Sequence, residues 1–398
     1  MKILMLVPFL PNTSMSGGQT RWYNIIKYLS KTHEITLFSL IKEDSERRFI
    51  PELEKYCKKV MIFKRPKSPW SLRNMIMATL GPFPLLVVRN WSFNERRAIE
   101  EELVKNHYDL IHAETFYVMP HLPRAKIPSI LVEQTIEYLV YKHYVDTEVS
   151  WFFKPLFMWD VVKLKLWERF FWKKATKLVV VSSEDKKIIE KDLAGVDVSI
   201  IPNGIDASYF AEKVAEKITP PRVLFVGNFK WLQNTEAATL LIEKVWPIII
   251  KGVPEAKLWI VGKSIPIKIQ AMAKEEKNIE VTESLPDIRE AYQAASVMTV
   301  PIYGPGGTRL KVLEALASGL AVVSTSIGIA GLNLVAGEHA LVANDYEGLA
   351  QKTISVLRNH KLGKRLGEAG RAKVIQNYDW KFIVKLHEPI YRQVLGKK

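Results

Sequence analysis

Six runs in the first half of the chain, KILMLVPF, EITLFSL, VMIF, LIHAE, IPSILVEQ and KLVVVSS, are short, largely apolar and separated by amphipathic stretches such as RWYNIIKYLSK. Runs of this kind suit strands covered on both faces, the condition of a parallel sheet wrapped by helices. The same alternation begins afresh at RVLFVGNF and continues through AKLWIVGK, IEVTES, ASVMTVPIY, LAVVSTS and ALVAND. The pattern predicts an α/β protein of two doubly wound domains. The length agrees, because 398 residues exceed what one hydrophobic core normally organises. Pro202, Asn203 and Gly204 form a turn signal between the halves. The expected domains are therefore 1–200 and 201–375. The tail 376–398, containing the amphipathic NYDWKFIVKLHEPIYRQVL, either caps the second domain or crosses back to the first.

The net charge of +15 is shared about equally by the two halves. Nucleic-acid binders concentrate their cations on one face, so anionic small molecules or anionic lipid are the better partners. A single cysteine, Cys57, excludes an intramolecular disulfide and favours a reducing compartment, so a cytoplasmic location is expected, with the inner face of the cell membrane as a variant. The amino terminus is too short in apolar residues for a signal peptide, and no run of 18 apolar residues suggests a membrane span.

The most informative stretch is GPGGTRLKVLEALASG, residues 304–319. A buried strand leads into Gly304, Pro305, Gly306 and Gly307, and a helix is expected from about Thr308 to Ser318, closed by Gly319. Glycines allow close approach of backbone to a ligand, and the free N–H groups at a helix start favour phosphate. Arg309 and Lys311 add full charges, so a diphosphate suits the loop. Gly307, Lys311 and Glu314 share one helical face, while Leu310, Leu313 and Ala317 face the core. Glu314 then lies about 10 Å from the helix start, the reach from a diphosphate to a ribose, whose two hydroxyls one carboxylate can accept. The alternative is a surface pair of Lys311 and Glu314 beside a plain turn.

PNGID at 202–206, VGNF at 226–229 and GGTRLKVLEALASGLAVVSTSIGIAGL at 306–332 together resemble the nucleotide-sugar-dependent glycosyltransferases of the GT-B fold, in particular the retaining family four. The resemblance implies two Rossmann-like domains, the donor held mainly by the second and the acceptor by the first. It implies transfer with retention, no metal and no cofactor beyond the nucleoside-diphosphate sugar donor. No Asp-x-Asp pair is present. Glu314 matches the family glutamate that grips ribose, and Gly306 stands where another glutamate is usual. Donor contacts are implied for Gly306, Gly307, Thr308, Arg309, Leu310, Lys311 and Glu314, and for Gly227 and Asn228, where many members carry an arginine. Arg309 and Lys311 become the diphosphate cations, with Lys230 a weaker candidate.

In the first domain Gly17 and Gly18 resemble the family's glycine-rich loop, although a GxGxxG fingerprint is absent. IHAE at 111–114 resembles a His-x-His segment near the reacting carbon, which makes His112 or Glu114 catalytic candidates beside plain strand-end residues. Glu133 and Glu137 in VEQTIEY are candidates for action on the acceptor hydroxyl. Residues 64–89 carry several cations and no acid, and residues 151–177 carry nine aromatics and seven cations against two acids. Such elements suit a glycan- or lipid-linked acceptor at an anionic membrane, as in polysaccharide or glycolipid synthesis, or else interior packing. Competing readings are a sugar-nucleotide epimerase or hydrolase and a non-catalytic sugar-nucleotide-binding protein.

Overall fold

The computed structural model describes residues 1–13, 16–66 and 71–396. Ser14 and Met15 before the glycine pair, residues 67–70 of the basic stretch, and Lys397 and Lys398 of the tail lie outside the described residues. The chain divides into a first unit, Met1–Pro202 with Ile383–Lys398, and a second unit, Asn203–Phe382. The tail is thus split. Residues 376–382 remain with the second unit, and the segment from Ile383 packs into the first.

The first unit is built on seven strands: β1 (Lys2–Val7), β2 (Glu34–Ile41), β3 (Lys59–Lys64), β4 (Leu110–Glu114), β5 (Ser129–Glu133), β6 (Lys177–Val180) and β7 (Val198–Ile200). They lie in the order β3-β2-β1-β4-β5-β6-β7, every pairing parallel. All of β4 and β6 and nearly all of β1, β2 and β5 is buried, which is why the runs read as apolar without alternation. Leu4, Leu6, Ile111, Ala113 and Leu131 build the core with helix residues Phe171 and Trp172.

The second unit repeats the plan with β8 (Arg222–Asn228), β9 (Lys257–Lys263), β10 (Ile279–Glu283), β11 (Val297–Val300), β12 (Val322–Ser324) and β13 (Leu341–Val342). The order is β10-β9-β8-β11-β12-β13, again parallel throughout. Each sheet therefore reverses direction of growth at one place, between β1 and β4 in the first unit and between β8 and β11 in the second. Crevices at the carboxyl ends of such strands are where doubly wound folds bind ligands.

At Gly204 the backbone lies against the face of Trp380, so that a Cβ there would come within 2.5 Å of the indole. Trp380 is fully buried, and Ile205 bridges Asp379. The glycine of PNGID is thereby explained by close packing within the second unit.

Candidate active site

In the second unit the reversal brings together the end of β8, carrying Gly227 and Asn228, and the glycine loop after β11. The helix that follows the loop spans Leu310–Ala317 and starts two residues later than the spacing predicts. Arg309 occupies the cap position with an extended ψ of 91°, and its guanidinium turns back to donate to the Gly304 carbonyl at 2.9 Å. Thr308 and Arg309 thus belong to the loop. From Leu310 the rise to Glu314 is about 6 Å, not 10 Å. Gly306 has a φ of +151°, and a Cβ there would collide with the Arg309 guanidinium. This gives a physical reason for glycine at a position where the resembled family usually has a glutamate. Gln233 holds the loop from outside, donating to the Pro305 carbonyl at 3.0 Å.

Lys311 and Glu314 are not a surface pair. Lys311 donates to Asn234 Oδ1 at 2.6 Å and sits 4.5 Å from the centre of the Phe225 ring. Asn234 in turn donates to the Asn228 carbonyl at 2.7 Å, which ties Lys311 to the end of β8. Burial, reinforced by the charge of Arg309 and partly offset by Glu314, brings the Lys311 ammonium down to about 7. Glu314 accepts from the buried Tyr292 hydroxyl at 2.6 Å, and burial raises its carboxyl above the usual range despite that bond and the charge of Lys311. Val312, Leu313, Leu316 and Ala317 bury the opposite face, while Leu310 is only partly covered. The loop therefore presents two cations and a carboxylate at the point where the sheet reverses. Lys230 is exposed, and its backbone N–H donates to Asn228 Oδ1.

In the first unit Gly17 and Gly18 open the helix Gly17–Leu29, capped by Ser16, whose side chain accepts from the Gln19 N–H. A Cβ at Gly18 would press on Gln134 Oε1 at 3.2 Å. His112 and Glu114, two apart on β4, share one face, and that face is covered by the helix His387–Val394. Both are fully buried. His112 Nε2 lies 3.1 Å from Glu114 Oε1, and the Tyr391 hydroxyl 2.7 Å from His112 Nδ1. Trp22 and Gln134 donate to Glu114 Oε2 at 2.8 and 3.1 Å. Burial alone would raise Glu114, but the His112 bond, the Arg21 charge and the Trp22 bond together hold it below the usual range. An ionised carboxylate only accepts, so His112 Nε2 carries its hydrogen. The candidates expected at the reacting carbon are thus enclosed side chains that fasten the last helix to the sheet. Arg21, also fully buried, donates to the Ile201 and Pro202 carbonyls.

Glu133 is buried at the end of β5 and accepts from Trp172 Nε1 at 3.0 Å. Burial and the charge of Glu168 raise its carboxyl far above the ordinary range. Glu168, itself fully buried, accepts from the backbone N–H groups of Glu137 and Tyr138 at 2.8 and 2.9 Å and so caps the helix Glu137–Glu148. Glu137 is pushed up to about 7 by burial, against the pull of Arg89. The sequence offered no signal for Glu168 or Trp172, which lie inside the aromatic stretch, nor for Asn234 and Tyr292, which reach the loop only through the topology.

The aromatic stretch is partly core and partly exposed. Trp172 and Phe171 are core, whereas Trp151, Phe152 and Phe153 are 82%, 68% and 53% exposed, and Trp159 and Phe170 are also exposed. A cavity of about 480 Å³ lies under this helix, lined by Val87, Trp91, Met119 and Phe171 with Arg124 and Lys174 among its edges. The helix over that cavity spans Lys154–Lys174. Among the described residues no helix is long and apolar enough to cross a membrane, and no group of three or more His, Cys, Asp or Glu is arranged to hold a metal ion.

Residues 15–209 match the family model described as Glycosyltransferase Family 4, and residues 220–359 match the one described as Glycosyl transferases group 1. Between them the two models take in most of the chain. A Klebsiella pneumoniae protein described only as an uncharacterized 44.6 kDa protein in the cps region is 24% identical over 98% of this chain and 99% of its own. A phosphatidyl-myo-inositol mannosyltransferase of Mycobacterium tuberculosis is 26% identical, over 52% of this chain and 57% of its own length. Among solved structures, sucrose-phosphate synthase from Thermosynechococcus elongatus superposes with a TM-score of 0.70 over 99% of each chain at 18% identity, a likeness of fold.

Proposed function

Because the chain belongs to the group 1 glycosyltransferases of GT-B fold, we propose that it moves a sugar from a nucleoside-diphosphate sugar to a hydroxyl acceptor with retention of anomeric configuration, cationic side chains serving where a divalent ion otherwise would. The observation that carries this reading is Lys311. It is held by Asn234 where the second sheet reverses, beside Arg309, with its ammonium drawn down to about 7. A lysine so placed regains full charge when a diphosphate arrives, and more so as charge builds on the leaving oxygen. The amides and glycines at 306–309 approach the phosphates, and Glu314, oriented by Tyr292, receives the ribose hydroxyls. In a front-face path the departing phosphate takes the acceptor proton, so no enclosed side chain need act as base.

The first unit receives the acceptor in this reading, and the exposed Trp151, Phe152 and Phe153 beside lysines support an acceptor met at an anionic membrane. A lipid-linked acceptor is in keeping with the mannosyltransferase relative named for phosphatidyl-myo-inositol. The test is a panel of UDP-, GDP- and ADP-sugars with and without lipid extract, in EDTA, following release of nucleoside diphosphate and the anomeric proton signal of the product. Release that requires acceptor, with a retained anomer and turnover lowered about 10²- to 10³-fold by Lys311→Ala, is expected. Release without acceptor would make the protein a hydrolase, and tight binding without release a non-catalytic partner.

A further inference from the structure

At the carboxyl edge of the first sheet, two arginines come together from segments far apart in sequence. Arg65 follows β3 directly, and Arg89 lies in the helix Leu85–Asn90. The Arg65 guanidinium packs 4.7 Å from the centre of the Phe9 ring, just beyond β1, and Phe9 meets Tyr117, just beyond β4, at 6.5 Å. Arg65 reaches Asn90 Oδ1 only at a long 3.5 Å. Among the described residues neither arginine forms an ion pair, and the Nε of each is enclosed with no hydrogen-bond partner. Burial and the neighbouring Arg89 charge hold Arg65 below its ordinary value, with Tyr117 and the Glu46 carboxylate offsetting this only in part. The carboxyl that feels Arg89, Glu137, is itself pushed up to about 7 and so offsets only part of that charge near neutral pH.

Two part-buried guanidiniums held near each other with no carboxylate in ion-pair range of either are costly unless an anion joins them. Their forks match tetrahedral oxyanions, and a doubly charged guest cancels their mutual repulsion. We propose that Arg65 and Arg89 form an anion subsite in the first unit that takes the phosphate or diphosphate group of the acceptor. The assignment to the acceptor rests on the reading above, in which the second unit holds the donor; the anion site itself does not.

The test uses the full chain saturated with whichever of UDP, GDP or ADP binds, so that the second unit's loop is occupied, and titrates inorganic pyrophosphate by calorimetry. Wild type is expected to bind pyrophosphate under these conditions. R65Q/R89Q should bind it about a hundredfold more weakly, each guanidinium contributing roughly tenfold, while nucleotide affinity is unchanged. R65K/R89K, which keeps charge but loses the forks, should fall between, and it guards against a folding defect in the glutamine variant. In a second arm, farnesyl diphosphate binding well above pyrophosphate assigns the anion to a lipid-linked acceptor, and equal binding assigns it to a water-soluble phosphate. Pyrophosphate binding that is absent in wild type, or unaltered in R65Q/R89Q, overturns the subsite. Failure of all three nucleotides to bind would instead sink the donor reading, and the comparison of wild type with R65Q/R89Q on pyrophosphate alone would still decide the subsite.

Discussion

Nucleotide binding should draw a proton onto Lys311 and weaken as the solution becomes alkaline. In the free protein the ammonium is held at about 7. Contact with a diphosphate favours the charged form and returns it toward its ordinary value near 10.5. Below pH 7 the lysine is protonated with or without ligand, and affinity is level. Between the two values binding must take up a proton, so affinity falls by up to tenfold per pH unit, or about 1.4 kcal/mol. From pH 7 to pH 9 the loss is at most about a hundredfold. The window avoids the second phosphate ionisation near pH 6. Folding has the opposite sign, because the folded state binds fewer protons than the unfolded chain over this range. The unliganded protein therefore gains stability from this residue as pH rises through 7 toward 10.5. Calorimetry in two buffers of different ionisation enthalpy should read uptake of about half a proton at pH 7, and Lys311→Met should abolish both the uptake and the slope. A level affinity between pH 7 and 9, or a slope that survives in Lys311→Met, would refute the reasoning.

Glu314→Ala should weaken nucleotide binding about tenfold or more, and Glu314→Gln less, since the amide keeps one acceptor; fluorescence or calorimetric titration reads both. Glu95 is fully buried with neither carboxyl oxygen hydrogen-bonded, and burial raises it to about 8. Stability from this group is complete below pH 4.5 and is lost as pH rises toward 8, so Glu95→Gln should stabilise by about 1–3 kcal/mol at pH 8 and flatten the urea midpoint against pH. Parallel curves for the two proteins would exclude it. Gly204→Ala forces a methyl against Trp380 and should cost about 1–3 kcal/mol in chemical denaturation. Replacing Trp151, Phe152 and Phe153 together by serine should reduce co-sedimentation with anionic vesicles while leaving the thermal midpoint within a few degrees, since all three side chains are exposed.

Among the described residues every strand but β7 announces itself as an apolar run; the inner strands do so because they are buried on both faces, whereas β3, β10 and β13 are mostly only half-buried and are legible from composition alone. The exception, β7, is three residues long and only Val198 in it is buried, so it carries no apolar run. The stretch AATLLIEKVWPIII reads as one helix but contains a π-helical turn at Leu241–Val245, beside Pro247, which cannot donate to the preceding turn. The loop at 304–319 was recognisable from its glycines and charges, since those act locally. Its supports were not, because Asn234 and Tyr292 reach Lys311 and Glu314 only through the strand order. The same holds for Arg65 and Arg89. For His112 and Glu114 the spacing places both on one face of β4, but only the position of the last helix reveals that this face is covered.

That last helix also sets an order of events during synthesis. The first unit is begun at Met1 but receives Tyr391, which meets His112, only after all of Asn203–Phe382 has been made. At about 5–20 residues per second the ribosome needs roughly 9–36 seconds to cover that interval. Throughout it, Arg21, His112 and Glu114 stand beside a gap that the nascent chain cannot yet close, so the half translated first is the half finished last.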